Sequence, residues 1–369
     1  MPELHFTAED WERVERDTMA WWAGELSRPL VWLAVTDPLP QPKPFTYLSN
    51  YPLDMPAQEI IALNEPFLAA THYYGDAFPH WWINFGPGIL SGFLGAQVNS
   101  VTDPSETVWF SPERQIAIQD LNLDYDPHNL WWKRVMELTS AIIEYWGGLL
   151  AVSHTDLGGN LDILAAFRDT QGLLFELMDH PDEVERLIRQ ITALWLRYYA
   201  EQEALIRLTC RGTSCWTPIW STGRTYMLQS DFSYMISPKL FERYVVPDLT
   251  ACCDYLDHAF YHLDGKGEIP HLDMLLSIPR LRGIQWIPGD GQPGADQWLP
   301  LLQRIRAGGK LCQEFVTPQG ALRIVKNLGG KGFMFVIQDF GPEFTDPEIV
   351  KAFLKTLAES DISQRKVFF

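Results

Sequence analysis

The chain has 369 residues, of which 46% are hydrophobic, and carries a formal net charge of −18. This length fits one large barrel with additions, or two domains, and the apolar content excludes a disordered chain. Because an acidic surface repels phosphates and anionic lipid head groups, we expect neither nucleic acid nor a membrane as partner. No apolar run approaches the ~20 residues of a membrane-spanning helix.

The cysteines and the N-terminal segment predict a cytoplasmic protein. The cysteines match no disulfide framework and no Cys-x-x-Cys pair, so we expect free thiols in a reducing compartment. They are Cys210, Cys215, Cys252, Cys253 and Cys312. The segment MPELHFTAEDWERVERD (1–17) is polar and acidic and predicts neither a signal nor a transit peptide.

The first third of the chain mixes helical, extended and irregular patterns. In chain order it predicts a helix at 8–27, a strand at 28–36, a proline-rich loop at 37–55, a helix at 57–73, a strand at 79–88, and a hairpin or cap within 92–125 that includes ETVWF.

From residue 128 onward, short apolar runs alternate with longer helical patterns. Helices are predicted at 128–147, 161–179, 181–208, 238–257, 268–278, 296–307, from Thr317 and from Asp346. Strands are predicted within 149–160 and at 212–216, 259–265, 282–286, 309–315 and 332–337, with a long connection at 217–237.

This alternation predicts an α/β protein with a parallel sheet. No glycine-rich dinucleotide fingerprint and no P-loop occurs, so no nucleotide cofactor is expected. An eight-stranded (β/α)8 TIM barrel with N-terminal helical and loop additions fits best, and a doubly wound open sheet is the alternative. We expect residues 1–72 to pack on a barrel formed by residues 73–369.

The stretch AFYHLDG (259–265) carries the most specific pattern. Residues two apart in a strand point to the same side, so His262 and Asp264 are predicted to face one space. Such a pair can bind a metal ion or act as a proton-transfer couple. The alternative is a structural histidine followed by an Asp-Gly turn.

Polar or aromatic side chains follow almost every predicted strand, where the active site of such a barrel lies. Their recurrence predicts an enzyme with a small-molecule substrate. The residues predicted to contact this substrate are Asn84, His154, Asp156, Trp216, Trp220, Arg224, Gln229, Gln285, Trp286 and Asp290. Arg224 would hold a carboxylate or phosphate, or else form a surface ion pair.

Three segments resemble the uroporphyrinogen decarboxylase superfamily: GDAFPHWWINFG (75–86), SDFSYMISPKLFERYVVPDL (230–249) and GGKGFMFVIQDFGPEFTDPEIVKAF (329–353). The likeness extends from about Tyr73 to Leu357. This superfamily includes zinc-dependent methyltransferases that move methyl groups between corrinoid proteins and thiols. The resemblance implies a (β/α)8 barrel, a corrinoid protein as partner and a homodimer.

The resemblance also implies a metal site. The decarboxylases carry an RQAGR-type arginine motif, which this chain lacks. The methyltransferases hold zinc through a His-x-Cys pair and a later Cys; here His262 matches the His, Asp264 replaces the first Cys, and Asp339 lies near the position of the last. We therefore expect Zn²⁺, or a harder ion such as Mn²⁺ or Fe²⁺, held by His262 and Asp264 with Glu314 or Asp339.

Three functions stay open at this point. The first is metal-assisted methyl transfer or related chemistry. The second is metal-free decarboxylation, with Asp231, His262 or Asp264 as proton donor and Asp339 as a further catalytic candidate. The third is a non-catalytic module that stacks tryptophans on a sugar or a methylated cation.

Overall fold

The computed structural model describes residues 3–100 and 107–363. Its strands are β1 (Leu30–Thr36), β2 (Thr71–Gly75), β3 (His80–Trp82), β4 (Gln97–Asn99), β5 (Trp109–Ser111), β6 (Ala151–Ser153), β7 (Thr213–Ser214), β8 (Trp220–Ser221), β9 (Thr225–Leu228), β10 (His258–Asp264), β11 (Leu281–Ile287), β12 (Leu311–Val316) and β13 (Phe333–Ile337).

The helices surround these strands and mostly connect one to the next. They are α1 (Ala8–Trp22), α2 (Ala57–Ala69), α3 (Leu90–Phe93), α4 (Leu130–Trp146), α5 (Asn160–Arg168), α6 (Thr170–Asp179), α7 (Pro181–Ile206), α8 (Pro238–Tyr244), α9 (Val246–Tyr255), α10 (Leu272–Ser277), α11 (Leu299–Ala307), α12 (Pro318–Leu328) and α13 (Pro347–Ser363).

A seven-stranded sheet forms the centre, in the order β2-β1-β13-β12-β11-β10-β9. Its strands run parallel except β2, which is antiparallel to β1. Separate pairs are formed by β3 with β6, β4 with β5, and β7 with β8. The predicted α/β class is confirmed, whereas the strand pairs of the described residues do not close into a ring.

The parallel strands are apolar because helices cover them. All five residues of β13, FMFVI, are buried, as expected for a strand with both faces covered. The helix after β12 begins as predicted, since the side chain of Thr317 accepts a hydrogen bond from the amide of Gly320 and Pro318 occupies the first turn.

Two predicted helices are each broken into two. The helix predicted at 161–179 divides at Asp169, whose φ is +54° and whose side chain accepts from the amide of Gly172 to begin α6. A short polar side chain tolerates this left-handed conformation and caps the next helix. The helix predicted at 238–257 divides at Val245, because Pro247 lies in the first turn of α9 and supplies no backbone donor.

The prediction of an irregular connection at 217–237 is wrong in one respect, because this segment contains β9, a strand of the central sheet. β9 pairs in parallel with β10 through four residues. Its run TYML is short and fully buried, and a strand of four residues gives too little periodicity to distinguish it from a loop.

The predicted hairpin within 92–125 is confirmed as the antiparallel pair β4–β5. The run ETVWF begins at Glu106, which lies outside the described residues. In the part of the chain that the structure covers, no helix has the length and apolarity to cross a bilayer.

The N-terminal segment packs against the amino ends of the parallel strands. The indole Nε1 of Trp21 donates to the carbonyl of Phe333 at 3.1 Å, and that of Trp22 donates to the carbonyl of Trp220 at 3.0 Å. The ring of Trp22 also stacks on His258, at 4.4 Å between centroids. β1 pairs with β13, so residues 1–72 contribute to the central sheet, and the division after residue 72 stays a prediction.

We expect Gly283→Ala to destabilise the sheet, because a Cβ at this position would overlap the ring of Phe260. Both residues are buried in adjacent strands, and overpacking a core costs ~1–3 kcal/mol. Urea denaturation measures the change. Gly283→Ala should lower the free energy of unfolding less in a Phe260→Leu background than in the native chain. Equal losses in the two backgrounds would contradict this account.

Candidate functional site

A row of side chains in register crosses four strands of the sheet. His262 of β10 lies beside Gln285 of β11, which lies beside Gln313 of β12, which lies beside Met334 of β13. Residues paired in this way point to the same face of a sheet. The row therefore presents an imidazole, two amides and a thioether to one side.

Hydrogen bonds run along this row. Thr217 donates to Gln313 Oε1 at 2.8 Å, and Gln285 Nε2 donates to the same oxygen at 2.8 Å. Gln285 then presents Oε1 to Nδ1 of His262 at 2.6 Å. Because an amide oxygen only accepts, Nδ1 of His262 must carry the proton, and Nε2 of the neutral ring keeps its lone pair.

Two carboxylates lie close to this lone pair. Asp264 Oδ2 is 3.9 Å from His262 Nε2, and Asp231, three residues after β9, completes a group whose ligand atoms lie within 4.8 Å of one another. The side chain of His262 is 14% exposed and that of Asp264 is 39% exposed. The group thus lies at the mouth of the site, where a ligand can reach it.

Tryptophan rings border the imidazole. Trp216 meets the ring of His262 edge to face at 5.0 Å, and Trp82 lies 6.5 Å from Trp216 between centroids. The Nε1 atoms of both indoles and Nδ2 of Asn84 are buried without a hydrogen-bond partner. Since buried donors are normally paired, these atoms are suited to contact a bound molecule.

More acids surround Asp231. Burial raises the pKa of Asp156 and of Asp162 to about 7, and repulsion from Asp231 adds to both shifts. Burial also raises the pKa of Asp231 and, to a larger extent, that of Glu268. A bound cation would favour the charged forms of these carboxyl groups and lower their pKa values.

A cavity of about 510 Å³ adjoins Asp231. It lies between β5, the first turns of α5 and the short 3-10 turn at 231–235, and Gln229 also lines it. A second cavity, of about 260 Å³, lies on the other side of Asp264 and is lined by Lys266 and Asp290. Asp156, Trp216, Gln229, Gln285 and Asp290 thus lie near the group of Asp231, His262 and Asp264, whereas none of the contacts of Asn84 with other described residues reaches that group.

Glu314 and Asp339 are not brought to this group, although the sequence predicts them as metal ligands. Glu314 follows Gln313 in β12, so its side chain points to the opposite face of the sheet, where it is fully buried and its pKa is raised by burial. Asp339 is exposed two residues after β13, with φ of +49°. The structure places Asp231 where these residues were expected.

Four predicted substrate contacts lie elsewhere, three of them at the amino ends or on the opposite face of the sheet and the fourth, His154, in the core. Arg224 precedes β9, at the amino ends of the strands, where its Nε lies 3.4 Å from Asp257 Oδ2 in an exposed ion pair. Trp220 is buried at the same end against Trp11, with 5.7 Å between centroids. Trp286 follows Gln285 on the opposite face and packs on Trp298 at 5.1 Å. Arg224 lies at the amino ends because it precedes β9, a strand that the sequence pattern does not predict. Trp286 points away from the site because successive residues of a strand alternate in direction.

His154 repeats the His-x-Asp spacing but differs in environment from His262. Its ring stacks on Tyr199 of α7 at 4.0 Å, and burial lowers its pKa to about 3. His154 is therefore a neutral core residue, while Asp156 reaches the acid group. Sequence reasoning did not single out Asp162 or Glu268, because an acid in the first turn of a helix or in a polar turn is common.

A comparison of this chain with models of known protein families finds no match, and a comparison with curated proteins finds none either.

We expect Asp156→Asn to change how stability depends on pH. The pKa of Asp156 is raised from 3.8 to about 7 in the folded state, so the folded chain binds more protons than the unfolded chain in this range, and its stability falls as pH rises from 4 to 7. The variant cannot ionise. It should match the native chain at pH 4 and exceed it at pH 8, by on the order of 3 kcal/mol.

Denaturation at both pH values measures this difference, with Asp54→Asn as the matched control because Asp54 is exposed. The amide oxygen of the variant can still accept from the amide of Gly158, as the Asp156 carboxylate does at 2.9 Å. Equal pH profiles of the native chain and Asp156→Asn would contradict the raised pKa.

Proposed function

We propose that this chain is a metal-dependent enzyme that acts on a small molecule, with Asp231, His262 and Asp264 as the ligands of a divalent ion. The observation that carries the proposal is the fixed imidazole: Nδ1 is bonded to Gln285, and Nε2 lies near two carboxylates. Catalytic metal sites typically use three protein ligands and leave a position for water or substrate.

The donor set decides which ions fit. One imidazole nitrogen and two carboxylate oxygens suit Zn²⁺, Mn²⁺ or Fe²⁺. Among the described residues, no cysteine belongs to this group of ligands. Burial raises the pKa of the Cys215 and Cys253 thiols to about 12, so these thiols are poor ligands. We infer that a substrate binds here through oxygen, which disfavours transfer to a thiol held on the metal.

When bound, a divalent ion supplies Lewis-acid polarisation of a substrate oxygen or lowers the pKa of a bound water. The residues of the chain supply the rest. Gln285 and Gln313 hold the imidazole in one tautomer, Trp216 restricts its ring, and Asp156 provides a carboxyl group whose pKa is near neutrality. Such a carboxyl group is suited to give or take a proton at pH 7.

We further propose that the strands form the barrel of the uroporphyrinogen decarboxylase superfamily, with methyl transfer or related chemistry as the reaction and a corrinoid protein as the methyl-carrying partner. Support comes from links outside the central sheet. The backbone amide of His154, directly after β6, donates to the carbonyl of Ser214 in β7 at 3.1 Å. The backbone amide of Thr225 in β9 donates to Thr213 Oγ1 in β7 at 3.0 Å. These bonds support a position of β7 between β6 and β9 in the proposed barrel.

The first test is metal binding. Titration of chelator-treated protein with Zn²⁺ or Mn²⁺ in a calorimeter should show one site per chain. His262→Ala should abolish it, because the site loses its nitrogen ligand, whereas His128→Ala should not change it, since His128 is exposed outside the site. Equal metal uptake by the native chain and His262→Ala would refute the site.

A second variant examines the amide row. Gln285→Leu leaves the ligands in place but removes the acceptor of His262 Nδ1, and loss of such an orienting partner costs ~10–100-fold in metal affinity. Gln338→Leu is the control, because Gln338 is exposed beyond β13. An unchanged affinity in Gln285→Leu would mean that the amide row does not position the ligand.

One observation favours metal-free decarboxylation as the second candidate. Asp231 is exposed beside His262 and Asp264, and a carboxyl group that is protonated there can donate to the carbon from which CO₂ leaves. Turnover that persists after chelator treatment and is abolished by Asp231→Asn would favour this candidate over the metal enzyme.

A further inference from the structure

The cavity of about 510 Å³ beside Asp231 has a specific chemical character. Its volume is typical of small-molecule sites. Three aromatic residues, Trp109, Phe110 and Phe232, are among those that line it, and so are the acids Asp231 and Asp162. No lysine, arginine or histidine is among the described residues that line it.

The charge of this region is unbalanced. Asp162 is partly satisfied, since its two oxygens accept from the amides of Asp231 and Phe232 at 3.1 and 2.7 Å. The carboxylate of Asp231 accepts no hydrogen bond among those of the described residues. A divalent ion would balance the charges of Asp231 and Asp264, and the carboxyl group of Asp162 would remain at the cavity without a basic partner among the described residues that line it.

Gln229 gives an independent indication of a ligand. Its side chain lines the cavity and is only 7% exposed. None of the hydrogen bonds found among the described residues uses its amide group. Because no hydrogen bond among the described residues uses this amide, the side chain is suited to contact a polar group of a molecule held in the cavity.

We propose that this cavity binds an organic cation with a methylated ammonium group, held against Trp109, Phe110 and Phe232 and next to Asp231. Aromatic faces attract such cations, and an ammonium without N–H groups needs no acceptors from an apolar wall. The inference names the substrate class of the proposed enzyme and rests on it, because Asp231 belongs to both the cavity and the metal group.

The test compares choline with its uncharged carbon isostere, 3,3-dimethylbutan-1-ol, by calorimetry on the full chain. Because the two differ mainly in charge, choline should bind about tenfold more tightly. Titrations are run on chelator-treated and on Zn²⁺-loaded protein. Equal affinity for the two compounds, or binding of neither, would overturn the proposal.

Variants locate the binding. Trp109→Leu should abolish most of the preference for choline; Trp109 is 66% exposed, so the change leaves the core intact. Phe175→Leu is the control, because Phe175 is 62% exposed outside the cavity. If Trp109→Leu and the second variant Phe232→Leu both keep the native preference, the aromatic wall is not the site.

Metal uptake separates this inference from the proposed function. If the native protein binds Zn²⁺ but shows no preference for choline, only the proposal of an organic-cation site is refuted. A preference for choline in protein that takes up no Zn²⁺ supports the cavity site and removes the metal enzyme.

Discussion

The hydrogen bond from Nδ1 of His262 to Oε1 of Gln285, at 2.6 Å, is the contact on which the site depends. It fixes the tautomer of the imidazole and leaves Nε2, which lies 3.9 Å from Asp264 Oδ2, without a proton in the group that includes Asp231. The bond is itself held by Gln313, whose oxygen accepts from both Gln285 and Thr217. Because Gln285, Gln313 and Thr217 are buried and bonded, the ring is oriented before any ligand arrives.

This orientation is possible because parallel strands align their residues laterally. His262, Gln285 and Gln313 occupy one register across three strands, so the amide of Gln285 reaches His262 on one side and Gln313 on the other, and the bonds form a continuous chain. A shift by one residue in any strand would turn its member of the row to the opposite face. The chemistry of the site is therefore tied to the strand register, and the register to the packing of helices on the sheet.

The two ends of the strands serve different purposes. The amino ends are covered by α1, whose Trp21 and Trp22 donate to backbone carbonyls there. The exposed ion pair of Arg224 with Asp257 lies at the same end. At the carboxyl ends, acids, an imidazole and exposed aromatic rings collect around open space. Both proposals rest on the same property, because an acidic mouth with aromatic residues would favour cations through charge and through contact with the rings.

The sequence alone determined the α/β class and the common direction of His262 and Asp264, because strand–helix alternation and a period of two are local properties. It could not decide which of Gln313 and Glu314 lies on the same face as His262, since a parallel strand buried on both faces shows no polar alternation. Tertiary structure also decided that Asp231 joins the pair, because it follows β9, a strand too short to recognise, which lies beside β10 only once the sheet has formed.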